Sequence, residues 1–71
     1  MNRQMTAQDA AHEAHIKNLS QQFLAHHARY EASGCFADLG AADGIRLQME
    51  AAIKARSPAA VAVLEVERGL A

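Results

Sequence analysis

The chain has 71 residues, which allows one domain with a marginal core, because a domain this small buries only about 60% of the surface that its unfolded chain exposes. A net charge of −1 argues against a protein that binds nucleic-acid phosphates, since such domains usually carry a clear basic excess. The single cysteine excludes an internal disulfide, so a metal ion or a second subunit remains as a further source of stability.

The first ten residues, MNRQMTAQDA, do not resemble a targeting segment. They lack the apolar core of a signal peptide, and nowhere in the chain do about 18 apolar residues follow one another. We therefore expect a cytoplasmic protein without a membrane partner.

A first helix is predicted over residues 7–33. Thr6 is a good N-cap, and Asp9, three residues later, completes a capping box in which the carboxylate reaches back to the cap. No glycine or proline interrupts this stretch, and Gly34 stands where a left-handed residue would end the helix. At about 1.5 Å per residue the helix is about 40 Å long, which is more than so small a domain covers.

The segment 34–44 contains three glycines and indicates a connector with about one turn of helix inside it. Asp43 is a suitable cap for a second helix over residues 43–56, in which apolar side chains recur on one face at helical spacing. The second helix is therefore predicted to be about half as long as the first.

The dipeptide Ser57-Pro58 predicts a break and a new helix start. The residue before a proline avoids the α conformation, serine is a good N-cap, and proline is preferred at the first helical position. The third helix is predicted over residues 58–68. The whole chain, 1–71, is then a single all-α domain: an antiparallel helical hairpin with a long first helix and a short third helix, present as a homodimer.

All four histidines lie in the predicted first helix, within AHEAHIKNLSQQFLAHHARY. The stretch HEAHIK is not the zinc motif His-Glu-x-x-His, because its second histidine comes one residue early. His12 and His15 are one turn apart, but a zinc site takes three or four protein ligands. His26 lies about 16 Å beyond His15 along the axis, so a second chain or a fold-back is needed to complete a site. A metal-binding helical dimer stays as an alternative.

The same helix carries a row typical of paired helices. Its members are spaced alternately four and three residues apart, as are the a and d positions of a coiled coil. They are His12, Ile16, Leu19, Phe23 and His26. We call this row the seam. We expect the seam to pack against a second copy of the chain, with its histidines half-buried and hydrogen-bonded.

Cys35 beside a histidine is a formal candidate for a nucleophile and a base, because a thiolate is stabilised near a helix start. No loop in the sequence suggests an oxyanion hole, and so small a chain encloses little volume for a substrate. We therefore expect a protein that is not an enzyme and has no cofactor.

Aromatic and arginine side chains around Gly34 form a predicted binding surface, since tyrosine and arginine are frequent among interface hot spots. The predicted partner-binding residues are Arg29, Tyr30, Phe36, Leu39, Arg46 and Arg56. Another interpretation is that Tyr30 and Phe36 only close the hydrophobic end of the hairpin.

A helix–turn–helix is an alternative for the last two helices. A recognition helix needs donors for base edges and cations for phosphates, whereas the third helix offers only Arg68 and two glutamates. A small transcriptional regulator or nucleic-acid-binding accessory protein is therefore retained only as the second choice of function.

The second half, ADGIRLQMEAAIKARSPAAVAVLEVERGL at residues 42–70, resembles the C-terminal parts of small early-region proteins of Mu-like transposable phages of pseudomonads. The preceding HHARYEASG is similar to the same group. That group includes an anti-quorum-sensing protein, a helical homodimer that binds a LuxR-type transcription activator and the pilus assembly ATPase. The resemblance implies a phage-encoded, non-enzymatic inhibitor that occupies a host protein in the host cytoplasm.

Overall fold

The computed structural model describes residues 5–69, which form three α-helices and no β-strand. The helices are α1 (Ala7–Ser33), α2 (Phe36–Lys54) and α3 (Pro58–Glu67). The predicted all-α class, with a long first helix and a short third helix, is confirmed.

Helix α1 has the predicted bounds because both of its ends are capped locally. The Thr6 hydroxyl oxygen accepts a hydrogen bond from the Asp9 backbone N–H at 3.1 Å. Gly34 adopts the left-handed conformation, with φ of 69°, and donates its N–H to the Tyr30 carbonyl at 2.7 Å. The Asp9 carboxylate does not complete the predicted capping box; its Oδ2 instead accepts from the Ser57 hydroxyl at 3.0 Å.

Helix α2 begins at Phe36, seven residues before the predicted start, so the long glycine-rich connector is a wrong prediction. The actual connector is the pair Gly34 and Cys35. The helix continues through Gly40 and Gly44 despite the low helix propensity of glycine, and it packs against α1. It ends at Lys54, two residues earlier than predicted.

Helix α3 starts as the Ser57-Pro58 pair predicts. The Ser57 hydroxyl oxygen accepts from the Ala60 backbone N–H at 3.0 Å, and proline occupies the first helical turn. The helix ends at Glu67, one residue before the predicted end.

The contacts between α1 and α2 join the beginning of one helix to the end of the other. His12 bonds to Ala52, and His26 bonds to Asp38. The core is small, and its buried side chains are Ile16, Leu19, Ala42, Ile45, Ala60 and Val63. The chain is accordingly elongated, measuring 49 × 20 × 16 Å.

Candidate functional site

The seam lies between α1 and α2 of a single chain. Ile16 and Leu19 are buried, at 7% and 4% exposure, and Phe23 is half-buried. The side chains of His12 and His26 bond to groups of α2. The face that we assigned to a second copy is thus already covered within one chain. A dimer through the seam stays a prediction, and it would require a helix of the second copy to replace α2.

His12 caps the C-terminal end of α2. Its Nε2 lies 2.7 Å from the Ala52 carbonyl oxygen, which is one of the last four carbonyls of the helix and has no partner in the helical ladder. Because a carbonyl only accepts, Nε2 is the donor of this hydrogen bond. The histidine ring therefore joins the two helices near the start of α1.

His26 joins the two helices near the turn. Its Nδ1 donates to Asp38 Oδ1 at 2.9 Å, and Arg29 Nη1 lies 3.9 Å from the same oxygen. Asp38 stands in the first turn of α2, where a negative charge is favoured by the helix dipole. The two side chains of the pair are partly exposed, 28% for His26 and 20% for Asp38.

Four of the predicted partner-binding residues lie around the turn between α1 and α2. The rings of Tyr30 and Phe36 have centroids 6.2 Å apart and are tilted by 43°. Phe36 is 76% exposed and Leu39 is 38% exposed, while the Arg29 side chain is 65% exposed. We call these four residues, Arg29, Tyr30, Phe36 and Leu39, the turn patch. Phe36 lies beside Tyr30, and most of its surface faces solvent.

The structure does not bring the other two predicted residues to the turn patch. Arg46 lies ten residues beyond Phe36, about 15 Å along α2, and pairs with Asp43 and Glu50 on the same helix. Arg56 lies beyond the far end of α2 and forms two hydrogen bonds of 2.8 Å with the carboxylate of Glu13. The Arg56 guanidinium is therefore occupied inside the fold.

Sequence reasoning missed the Glu13–Arg56 pair and two exposed leucines. The paired residues are 43 positions apart, so no local spacing could have indicated their contact. Leu24 and Leu47 are 61% and 53% exposed. The helical periodicity of the sequence places both leucines off the buried faces of α1 and α2, so their exposure could have been predicted.

An open cavity of about 510 Å³ lies where the start of α1 meets the α2–α3 junction. His12 and His15 line it together with Asp9 and Ser57. Within residues 5–69 no group of three or more His, Cys, Asp or Glu side chains is placed to hold a metal ion. Cys35 is exposed and its thiol makes no cap bond to α2.

These features describe a small all-helical protein with an exposed aromatic patch at one end. No family model, no curated protein and no solved structure matches the chain. None of the three described helices is both long and apolar enough to cross a membrane.

Proposed function

We propose that this chain is a phage-encoded, non-enzymatic inhibitor that binds a host protein through the turn patch. The observation that supports this proposal is the exposure of Phe36, which presents 76% of its surface to solvent at the start of α2. An aromatic side chain has few rotatable bonds for its size, so it loses little conformational entropy when binding orders it. Such side chains, together with arginine, supply most of the energy at many protein interfaces.

The target that we favour is a LuxR-type quorum-sensing activator of the host, with the pilus assembly ATPase as a further target. This choice rests on the resemblance of residues 42–70 to early-region phage proteins. The chain is proposed to fold as an antiparallel helical hairpin and to act as a homodimer in the host cytoplasm. Inhibition then results from covering a working surface of the target and requires no chemical step.

The experiment is a binding assay with purified LuxR-type activator and with pilus assembly ATPase, comparing wild type with Phe36→Ala. We expect the substitution to weaken binding at least tenfold, as loss of a hot spot does. The matched control is Leu47→Ala, because Leu47 is also exposed, at 53%, but lies eleven residues further along α2. If Phe36→Ala binds as tightly as Leu47→Ala and wild type, the turn patch is not the contact surface. Failure of the wild-type protein to bind either target would refute the proposed targets.

A further inference from the structure

The first part of α2, residues 36–44, is stabilised differently from the rest of the described helices. Its N-cap, Cys35, makes no side-chain hydrogen bond to the helix. The N-caps of α1 and α3, Thr6 and Ser57, each accept one from a backbone N–H. An N-terminus without this bond leaves one more backbone donor for water and frays more readily.

Two glycines weaken the same segment further. Gly40 and Gly44 both have ordinary negative φ values, and a Cβ at either position would meet no atom within 4 Å. Neither backbone conformation nor close packing within the chain therefore requires a glycine. One glycine lowers the helix-forming equilibrium about fivefold relative to alanine, so the pair lowers it about 25-fold.

Burial does little to offset this weakness. Phe36 and Leu39 keep 76% and 38% of their surfaces exposed. The one buried side chain of the segment is that of Ala42, which is a single methyl group. The next turn, in contrast, buries the larger side chain of Ile45.

Two side chains of this segment contact α1: the Asp38 carboxylate accepts a hydrogen bond from His26 at 2.9 Å, and the exposed Phe36 ring lies beside Tyr30 with 6.2 Å between centroids. We infer that residues 36–44 open from α1 as one unit while the later part of α2 stays folded. The His26–Asp38 hydrogen bond stabilises the closed state of this segment. Local openings of this kind are common where few apolar contacts hold a helix.

Opening has a consequence for binding, and this consequence rests on the function proposed above. Phe36 and Leu39 belong to the turn patch, so the patch is assembled only while the segment is closed. Apparent affinity for the target then scales with the closed fraction. The opening itself is a property of the free chain and is tested without any target.

The test is amide hydrogen exchange under conditions where the rate reports the opening equilibrium, with residues 47–52 of α2 as the internal reference. In wild type, amides of residues 40–44 are expected to exchange at least tenfold faster than the reference, after correction for intrinsic rates. His26→Ala should accelerate the 40–44 amides about another tenfold. The matched control is His27→Ala, which removes the neighbouring half-buried histidine that pairs with Glu31 inside α1. It should change the exchange rates of the amides of residues 40–44 less than twofold.

The converse variant, Gly40→Ala with Gly44→Ala, should slow exchange in residues 40–44 about 20-fold and leave the reference amides almost unchanged. Equal exchange rates across α2 in wild type, or variants that shift both groups of amides together, would show that the helix opens only as a whole. Either result would overturn the proposal. Neither would affect the Phe36→Ala binding assay, so failure of this inference and failure of the proposed function are distinguishable.

Discussion

The Glu13–Arg56 ion pair is expected to contribute far more to stability than the surface pair Arg46–Glu50. The first pair has two N–H···O hydrogen bonds of 2.8 Å, and its side chains are only 20% and 16% exposed. The second is a single contact of 3.5 Å between side chains that are both 51% exposed. An arginine–glutamate pair thus occurs once largely shielded from solvent and once exposed to it.

The expected magnitudes follow from this difference in burial. Hydrogen bonds to charged groups contribute about 1.5–3 kcal/mol, and the partial exposure of the Glu13–Arg56 pair places its coupling energy near the lower part of that range, at about 2 kcal/mol. An exposed pair one helical turn apart contributes about 0.3–0.5 kcal/mol. We therefore expect the two coupling energies to differ by a factor of about four to seven.

The assay is a pair of double-mutant cycles measured by urea unfolding and circular dichroism. One cycle combines Glu13→Gln with Arg56→Gln, and the other combines Arg46→Gln with Glu50→Gln. With a slope of about 1 kcal/mol per molar urea for a chain this small, loss of the first pair should lower the midpoint by about 2 M. Equal coupling in the two cycles would refute the argument that burial, rather than residue type, decides what each pair contributes.

Two further substitutions test single backbone features by the same unfolding assay. Gly34→Ala should destabilise the chain by about 1–2 kcal/mol, because φ at this position is 69° and a Cβ is disfavoured there; unchanged stability would argue against the left-handed turn. His12→Ala should cost about 1 kcal/mol by leaving the Ala52 carbonyl without its donor. Asn18 lies on the exposed face of α1, so the free energy of unfolding of Asn18→Ala should stay within about 0.5 kcal/mol of the wild-type value. A larger effect of this substitution would show that the assay does not resolve specific contacts.

The ends of α1 and the start of α3 were predictable because each depends on residues within a few positions of one another. Thr6 caps an N–H three residues away, and Gly34 closes the last turn four residues back. Ser57 with Pro58 works in the same local way. Such signals are contained in the sequence itself, and they do not depend on how the helices later pack.

The start of α2 was not predictable for the opposite reason. The glycine-rich segment has poor local propensity, and it is helical because Asp38 bonds to His26, twelve positions earlier, and because Ala42 and Ile45 are buried. The opening segment inferred above, residues 36–44, lies within the mistaken connector, residues 34–44. A sequence-based error at this place is what a helix held mainly by tertiary contacts should produce.

The seam illustrates a second limit of periodicity. A row of side chains at helical spacing shows that one face is covered but carries no information about which helix covers it. Here Ile16 and Leu19 are buried within a single chain, in which α1 packs against α2. Residues free to contact a target must then lie off the seam, and Phe36 is the most exposed large apolar side chain among residues 5–69. The turn is thus the place where the described part of the chain exposes a large aromatic side chain, which is why the proposed contact surface is located there.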